Sequence, residues 1–127
     1  ATATLLHKQV RTNEELWGYS PDEELTTEEL LAERNRGIRP AVGYPSLPDQ
    51  SIIFTIDKLL GLDEAGIALT PNGAMTPHAG VCGLMIHHPA ACYFAVGRID
   101  EVQLHDYARR RGVAPDTIRK FLAKNIG

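Results

Sequence analysis

Val81-Cys82-Gly83-Leu84-Met85-Ile86-His87-His88-Pro89-Ala90-Ala91-Cys92-Tyr93-Phe94-Ala95-Val96-Gly97-Arg98-Ile99 is the stretch that decides the fold class. Two apolar, partly β-branched runs, 81–87 and 92–99, flank a His-Pro-Ala-Ala joint, a pattern that predicts an antiparallel hairpin. Gly83 and Gly97 inside the runs point to bulges or to a close approach by another segment. Tyr93 and Phe94 are adjacent, so on a regular strand they face opposite sides. The hydroxyl of Tyr93 suits a polar site. Phe94 is expected to pack inward beside Val96, where a buried ring would be worth about 3–5 kcal/mol.

Working outward, Ile67-Ala68-Leu69-Thr70 reads as a short strand and Pro71-Asn72-Gly73 as a turn. The remaining segments are helical apart from a turn over 18–22 and a stretch over 37–50 whose prolines and glycines leave no regular element. Leu5, Leu6, Val10 and Leu16 suggest a helix over 4–17. Thr26 with Glu29 forms a capping-box signature, with Leu30 and Leu31 behind it. Ile52, Ile53, Ile56, Leu59 and Leu60 make the apolar positions of a helix over 51–60 that stops at Gly61. Asp100 is the expected cap of a helix ending before Gly112, and Pro115 fits the first turn of the last helix. The expected fold is α+β, an antiparallel hairpin or sheet flanked by helices, in one domain over 1–127.

Length and composition fit a globular domain. The chain has 127 residues, 43% hydrophobic and 23% charged. Net charge is −3, which argues against a phosphate-driven nucleic-acid binder. It runs from −4 over 1–36 to +3 over 97–127. No apolar run approaches the ~20 residues that span a bilayer, so no membrane role is expected. Two cysteines, Cys82 and Cys92, are too few for a disulfide scaffold, and a cytoplasmic setting is expected. His87 and His88 point apart on a strand, no His pair has helical ligand spacing, and no metal site is expected.

The loop Gly37-Ile38-Arg39-Pro40-Ala41-Val42-Gly43-Tyr44-Pro45 carries the most suggestive chemistry. An arginine on a stiff loop is pre-organised for a carboxylate or phosphate. Gly43 would leave room for a ligand against the backbone, and Tyr44 offers a ring and a hydroxyl. A purely structural Pro-rich loop with a salt-bridged arginine fits the same residues. Arg109-Arg110-Arg111 suits the negative end of its helix.

The loop resembles the GIRPAxGYP signature of the activation domain of cobalamin-dependent methionine synthase. Four further segments agree in order: Trp17-Gly18-Tyr19 with Pro21, the 73–83 stretch from Gly73 to Gly83, His88-Pro89 with Tyr93, Ala95 and Val96, and Asp106-Tyr107-Ala108-Arg109-Arg110. The likeness runs from about Leu6 to Gly127. It implies a module of a methyltransferase that binds S-adenosylmethionine and supports reductive methylation of cob(II)alamin to methylcobalamin. The cobalamin would be held by another domain or chain, and a flavodoxin-like donor would supply the electron. Carried over residue by residue, Arg39 would hold the ligand's carboxylate. Ala41, Val42, Gly43 and Tyr44 would form the cradle, Tyr93 and Phe94 would stand for the family's tyrosine pair, and Glu33 would be an acid near the site. No residue is assigned a catalytic role.

The sequence also departs from the family. The first half of the family's domain, with an aspartate for the ligand's amino group, has no counterpart, so 1–127 corresponds to its C-terminal portion and is expected to be inactive alone. Ser46-Leu47-Pro48-Asp49-Gln50-Ser51 replaces a segment that carries His, Glu and Lys in the family, and Phe94 lacks a hydroxyl. A non-catalytic interaction module, or an inactive fragment docking on a cobalamin protein or its electron donor, is the alternative.

Overall fold

The computed structural model describes residues 1–78 and 80–127; Ala79, part of the 73–83 motif, lies outside the described residues. The chain divides into two compact units, Ala1–Arg39 with Met85–Tyr93 and Pro40–Leu84 with Phe94–Gly127.

In the first unit, helix α1 (Thr2–Thr12) is shorter than its apolar spacing suggested. Asn13 stops it: its side chain accepts from the Glu15 N–H at 2.9 Å, a local turn that competes with the helix. The inward face is also not the expected one. Leu5, Leu6 and Leu16 are exposed, whereas His7 and Arg11, one turn apart, are fully buried. Arg11 is held by both oxygens of Glu23, at 2.7 and 2.8 Å. The unit therefore has a polar centre whose charge is paired, which burial demands. Helix α2 (Thr27–Leu31) starts with the expected capping box, Thr26 and Glu29 bonding each other's backbone N–H. It ends early because Glu33 takes a left-handed φ of 56°, rare for a side-chain-bearing residue. Ile38 and Ile86 exchange both backbone hydrogen bonds, at 2.9 Å each. The Tyr19 and His87 rings stack 4.1 Å apart.

The second unit contains α3 (Ile52–Leu60), β1 (Ala68–Leu69), β2 (Met75–Thr76), α4 (Glu101–Arg111) and α5 (Pro115–Phe121). β1 and β2 pair antiparallel, Ala68 opposite Thr76 and Leu69 opposite Met75. Helices with one small antiparallel sheet make the architecture α+β, as expected. Gly61 and Gly112 close α3 and α4 with φ of 64° and 66°. Asp100 caps α4 and exchanges hydrogen bonds with Gln103. One apolar cluster joins Leu104 and Ala108 of α4 to Ile118 and Leu122; a second gathers Val42, Ile53 and Ile56. Burying a side chain such as Ile53, with no exposed surface, is worth about 1.5–3 kcal/mol.

The expected hairpin of 81–87 against 92–99 does not form. In the second unit the Val42 N–H donates to the Cys82 carbonyl at 2.9 Å, and the Leu84 N–H to the Pro40 carbonyl at 3.0 Å. The Phe94 N–H bonds Ser46 and the Val96 N–H bonds the Pro45 carbonyl. Both runs thus take partners from the Gly/Pro loop rather than from each other. The loop can serve because residues before prolines, Arg39 and Tyr44, are pushed toward extended backbone. Pro40 has no N–H to return, which keeps the pairing to isolated bridges. Gly83 makes the approach possible, since a Cβ there would lie 2.5 Å from the Pro40 carbonyl oxygen. No helix among the described residues is long and apolar enough to cross a membrane.

Candidate functional site

Arg39 is the best-anchored residue of the loop. Its Nη2 donates to Glu33 Oε1 at 3.1 Å and to Thr4 Oγ1 at 3.1 Å, and its Nη1 to His7 Nδ1 at 3.3 Å. Its backbone N–H donates to the Tyr93 hydroxyl at 2.8 Å. The structure thus brings Glu33, Arg39 and Tyr93 together in the first unit, from the turn after α2, the start of the Gly/Pro loop and the 85–93 segment, with Thr4 and His7 of α1 behind the guanidinium. An open cleft of about 840 Å³ has Glu33 and Tyr93 in its walls with Gly37, Ile38, His87 and Pro89; Arg39 does not line it and reaches it through its bond to Glu33.

His7 was not among the residues singled out by sequence. Arginine has no acceptor, so Nδ1 must accept from it and the ring proton sits on Nε2. Nε2 then donates to the Tyr19 hydroxyl at 3.0 Å, which donates to the Arg36 carbonyl at 2.9 Å. Burial, and after it the positive charges of Arg11 and Arg39, push the His7 pKa from 6.5 down to about 4. The ring is therefore neutral at pH 7. The available signal was its spacing: Thr4, His7 and Arg11 fall at i, i+3 and i+7, one face of a helix.

In the second unit the 41–47 segment is a tight paired turn. The Gly43 N–H donates to the Leu47 carbonyl, Leu47 N–H to Tyr44, and Tyr44 N–H to Ala41. With Val42 N–H also engaged, the Ala41 N–H and the carbonyls of Val42 and Gly43 have no partner among the described residues. The Val42 side chain is buried in the core, so only its backbone can serve a ligand. The room expected beside Gly43 is filled: a Cβ there would lie 2.3 Å from Gln50 Oε1, and φ is 87°. The Tyr44 ring is 66% exposed, on an open cleft of about 600 Å³ shared with Pro45, Phe121, Lys120 and Lys124.

Phe94 corrects a further expectation. It is 57% exposed and Val96 41%, so neither packs inward. The regular strand that would have set their alternation is missing. Ser46 determines the backbone instead: its hydroxyl donates to the Phe94 carbonyl and accepts the Phe94 N–H.

Asp49, also in this unit, is 2% exposed and is the hub of a network. Oδ1 accepts from the Ser51 N–H and hydroxyl, and Oδ2 from the Tyr107 hydroxyl and Arg111 Nη1. Burial and then the Asp49 hydrogen bond raise the Tyr107 pKa. Arg111 therefore does more than complement a helix end, while Arg109 and Arg110 pair with Asp106 on the surface. No group of three His, Cys, Asp or Glu among the described residues is placed to hold a metal ion. Cys82 and Cys92 are both free thiols.

An extended Gly/Pro loop bearing an anchored arginine, set in an α+β frame, is the combination on which the comparison with known proteins turns. The chain belongs to the vitamin B12 dependent methionine synthase activation-domain family, whose model matches residues 1–112. Among solved structures, it is similar to the MetH reactivation domain in its crystal structure bound to AdoHcy, at 42% identity and a TM-score of 0.92. The match covers 99% of this chain and 38% of that one, so the chain spans well under half the length of its solved relative.

Proposed function

We propose that this chain is the S-adenosylmethionine-binding reactivation module of a cobalamin-dependent methionine synthase, corresponding to the C-terminal portion of a longer activation domain. The observation that carries the reading is the Arg39–Glu33 pair. A guanidinium and a carboxylate 3.1 Å apart, the carboxylate lining an open cleft, complement the two ends of an amino-acid zwitterion. Arg39 would take the ligand's carboxylate and Glu33 its ammonium. The Tyr93 hydroxyl accepts from the Arg39 N–H and keeps its own proton to donate. The second unit, taken by itself, offers an unpartnered Ala41 N–H, the Val42 and Gly43 carbonyls and the exposed Tyr44 and Phe94 side chains as candidate ligand-binding groups of its own. Family membership and the AdoHcy bound by the solved relative support the reading.

When bound, S-adenosylmethionine supplies a methyl group on a good leaving group, for transfer to cobalt held by another domain or chain after one electron arrives from a flavodoxin-like donor. No proton moves, so the chain needs no general base; its work is to bind and orient. We place the module in the cytoplasm and expect no methyl transfer by this chain alone.

The test is reactivation in the full-length protein, followed by the cobalamin spectrum. Arg39→Ala is expected to raise the S-adenosylmethionine concentration for half-maximal reactivation about 10- to 150-fold, the worth of a charge-assisted hydrogen bond. An unchanged requirement overturns the carboxylate assignment.

A further inference from the structure

The first unit places a buried histidine directly behind the arginine on which the proposed function rests. Arg39 has three side-chain partners, and they differ in kind. Glu33 is 44% exposed at its side chain and is itself proposed to meet the ligand. Thr4 offers a small hydroxyl on α1. His7 has no exposed surface and is pinned at both ring nitrogens, by Arg39 on one side and by Tyr19 on the other. Tyr19 is anchored in turn to the Arg36 carbonyl, three residues before Arg39. A side chain fixed at two points in a packed interior has one orientation to offer.

We propose that His7 is the positioning residue of the carboxylate-binding site: its Nδ1 lone pair, presented by the Nε2–H tautomer, holds the Arg39 guanidinium in place to receive a carboxylate. The inference rests on the carboxylate reading of Arg39 and adds a requirement to it. The histidine must act as an acceptor, because a donor at Nδ1 would face a group with nothing but donors. The surroundings enforce that state. Arg11 and Arg39 disfavour a charged ring, burial acts in the same direction, and Glu23, the one acid acting against them, is already engaged by Arg11. Tyr19, the remaining titratable neighbour, takes the ring's only proton.

Two substitutions separate the two nitrogens. His7→Asn places an amide oxygen near the position of Nδ1 and gives up the Tyr19 bond. His7→Gln places an amide nitrogen near the position of Nε2 and gives up the acceptor for Arg39. The readout is the affinity of the full-length protein for S-adenosylmethionine divided by that for its decarboxylated analogue. A merely structural defect weakens both ligands together and leaves the ratio alone. The expected result is a ratio lowered about tenfold in His7→Gln and largely retained in His7→Asn. A ratio unchanged in His7→Gln overturns the role of His7 and leaves Arg39 standing. A wild-type protein that does not distinguish the two ligands overturns the Arg39 reading itself, and this proposal with it. Should either variant fail to fold, ¹⁵N spectra of the wild-type imidazole decide. Nδ1 is expected to be unprotonated and Nε2 protonated from pH 7 to 5, and a proton on Nδ1 in that range refutes the proposal.

Discussion

Acidification from pH 7 to 5 is expected to weaken folding through His7, and the amount follows from its surroundings. The ring is fully buried, with its pKa lowered from 6.5 to about 4. The unfolded chain therefore binds a proton first as pH falls, while the native chain stays neutral. Stability rises with pH wherever the unfolded state holds more protons. The contribution is fully present above about pH 6.5 and is lost progressively down to about pH 4. Each pH unit inside that window costs up to about 1.4 kcal/mol, so the step from 7 to 5 costs about 2 kcal/mol and the whole window about 3. Burial is the largest cause of the shift, Arg11 and Arg39 act with it and Glu23 against it, and the Tyr19 hydroxyl bonds the ring itself. Urea unfolding at pH 7, 6 and 5 measures the loss, and His7→Asn, which cannot titrate, supplies the control. The carboxylates held low by arginines, Glu101 by Arg119 and Asp106 chiefly by Arg109, lose their contribution only as pH falls below their ordinary range near 4. They do not overlap the upper part of the window. Wild-type stability that is flat from pH 7 to 5, or a His7→Asn variant with the same slope, would show that His7 is not buried neutral as described.

Other consequences can be checked by melting or denaturant titration. Asp49→Ala strands Arg111 and Tyr107 and is expected to cost about 3–5 kcal/mol, near the lower end because Arg111 keeps some exposure; a loss under about 1 kcal/mol would mean the network is not built as described. Gly83→Ala forces a Cβ toward the Pro40 carbonyl oxygen and is expected to cost about 1–3 kcal/mol, whereas a neutral result would show that the two segments are not in close register. Phe94→Ala is expected to change stability by under about 1 kcal/mol, because the ring is mostly exposed; a loss of about 3–5 kcal/mol would restore the buried position that alternation suggested.

The parts of the fold written in local chemistry were legible. Thr26 and Glu29, Asp100, Gly61 and Gly112 end their helices where cap rules put them, because each rule involves residues within one turn. The hairpin was not legible, for a physical reason. Residues 81–87 and 92–99 have strand-like composition, but composition does not name a strand's partner. The 37–50 segment, read as irregular from its prolines and glycines, supplied extended backbone at its 38–46 end that both runs bond instead. The polar centre of the first unit was hidden too. Leu5 and Leu6 drew attention to the wrong side of α1, and Leu16 lies past its end, while His7 and Arg11 on the inward face look like surface residues until Glu23, Tyr19 and Arg39 are seen around them. Of the candidate site, Arg39, Glu33 and Tyr93 do come together. What sequence could not supply was the acceptor behind the arginine, thirty-two residues away along the chain.

The most direct test of the account is calorimetric titration of S-adenosylmethionine into the wild-type protein and into Arg39→Ala, using this chain and the full-length protein that carries it. The full-length wild type is expected to bind, and Arg39→Ala to weaken that binding by about 1.5–3 kcal/mol with its fold intact by circular dichroism. Equal affinity with and without the Arg39 guanidinium would contradict that expectation.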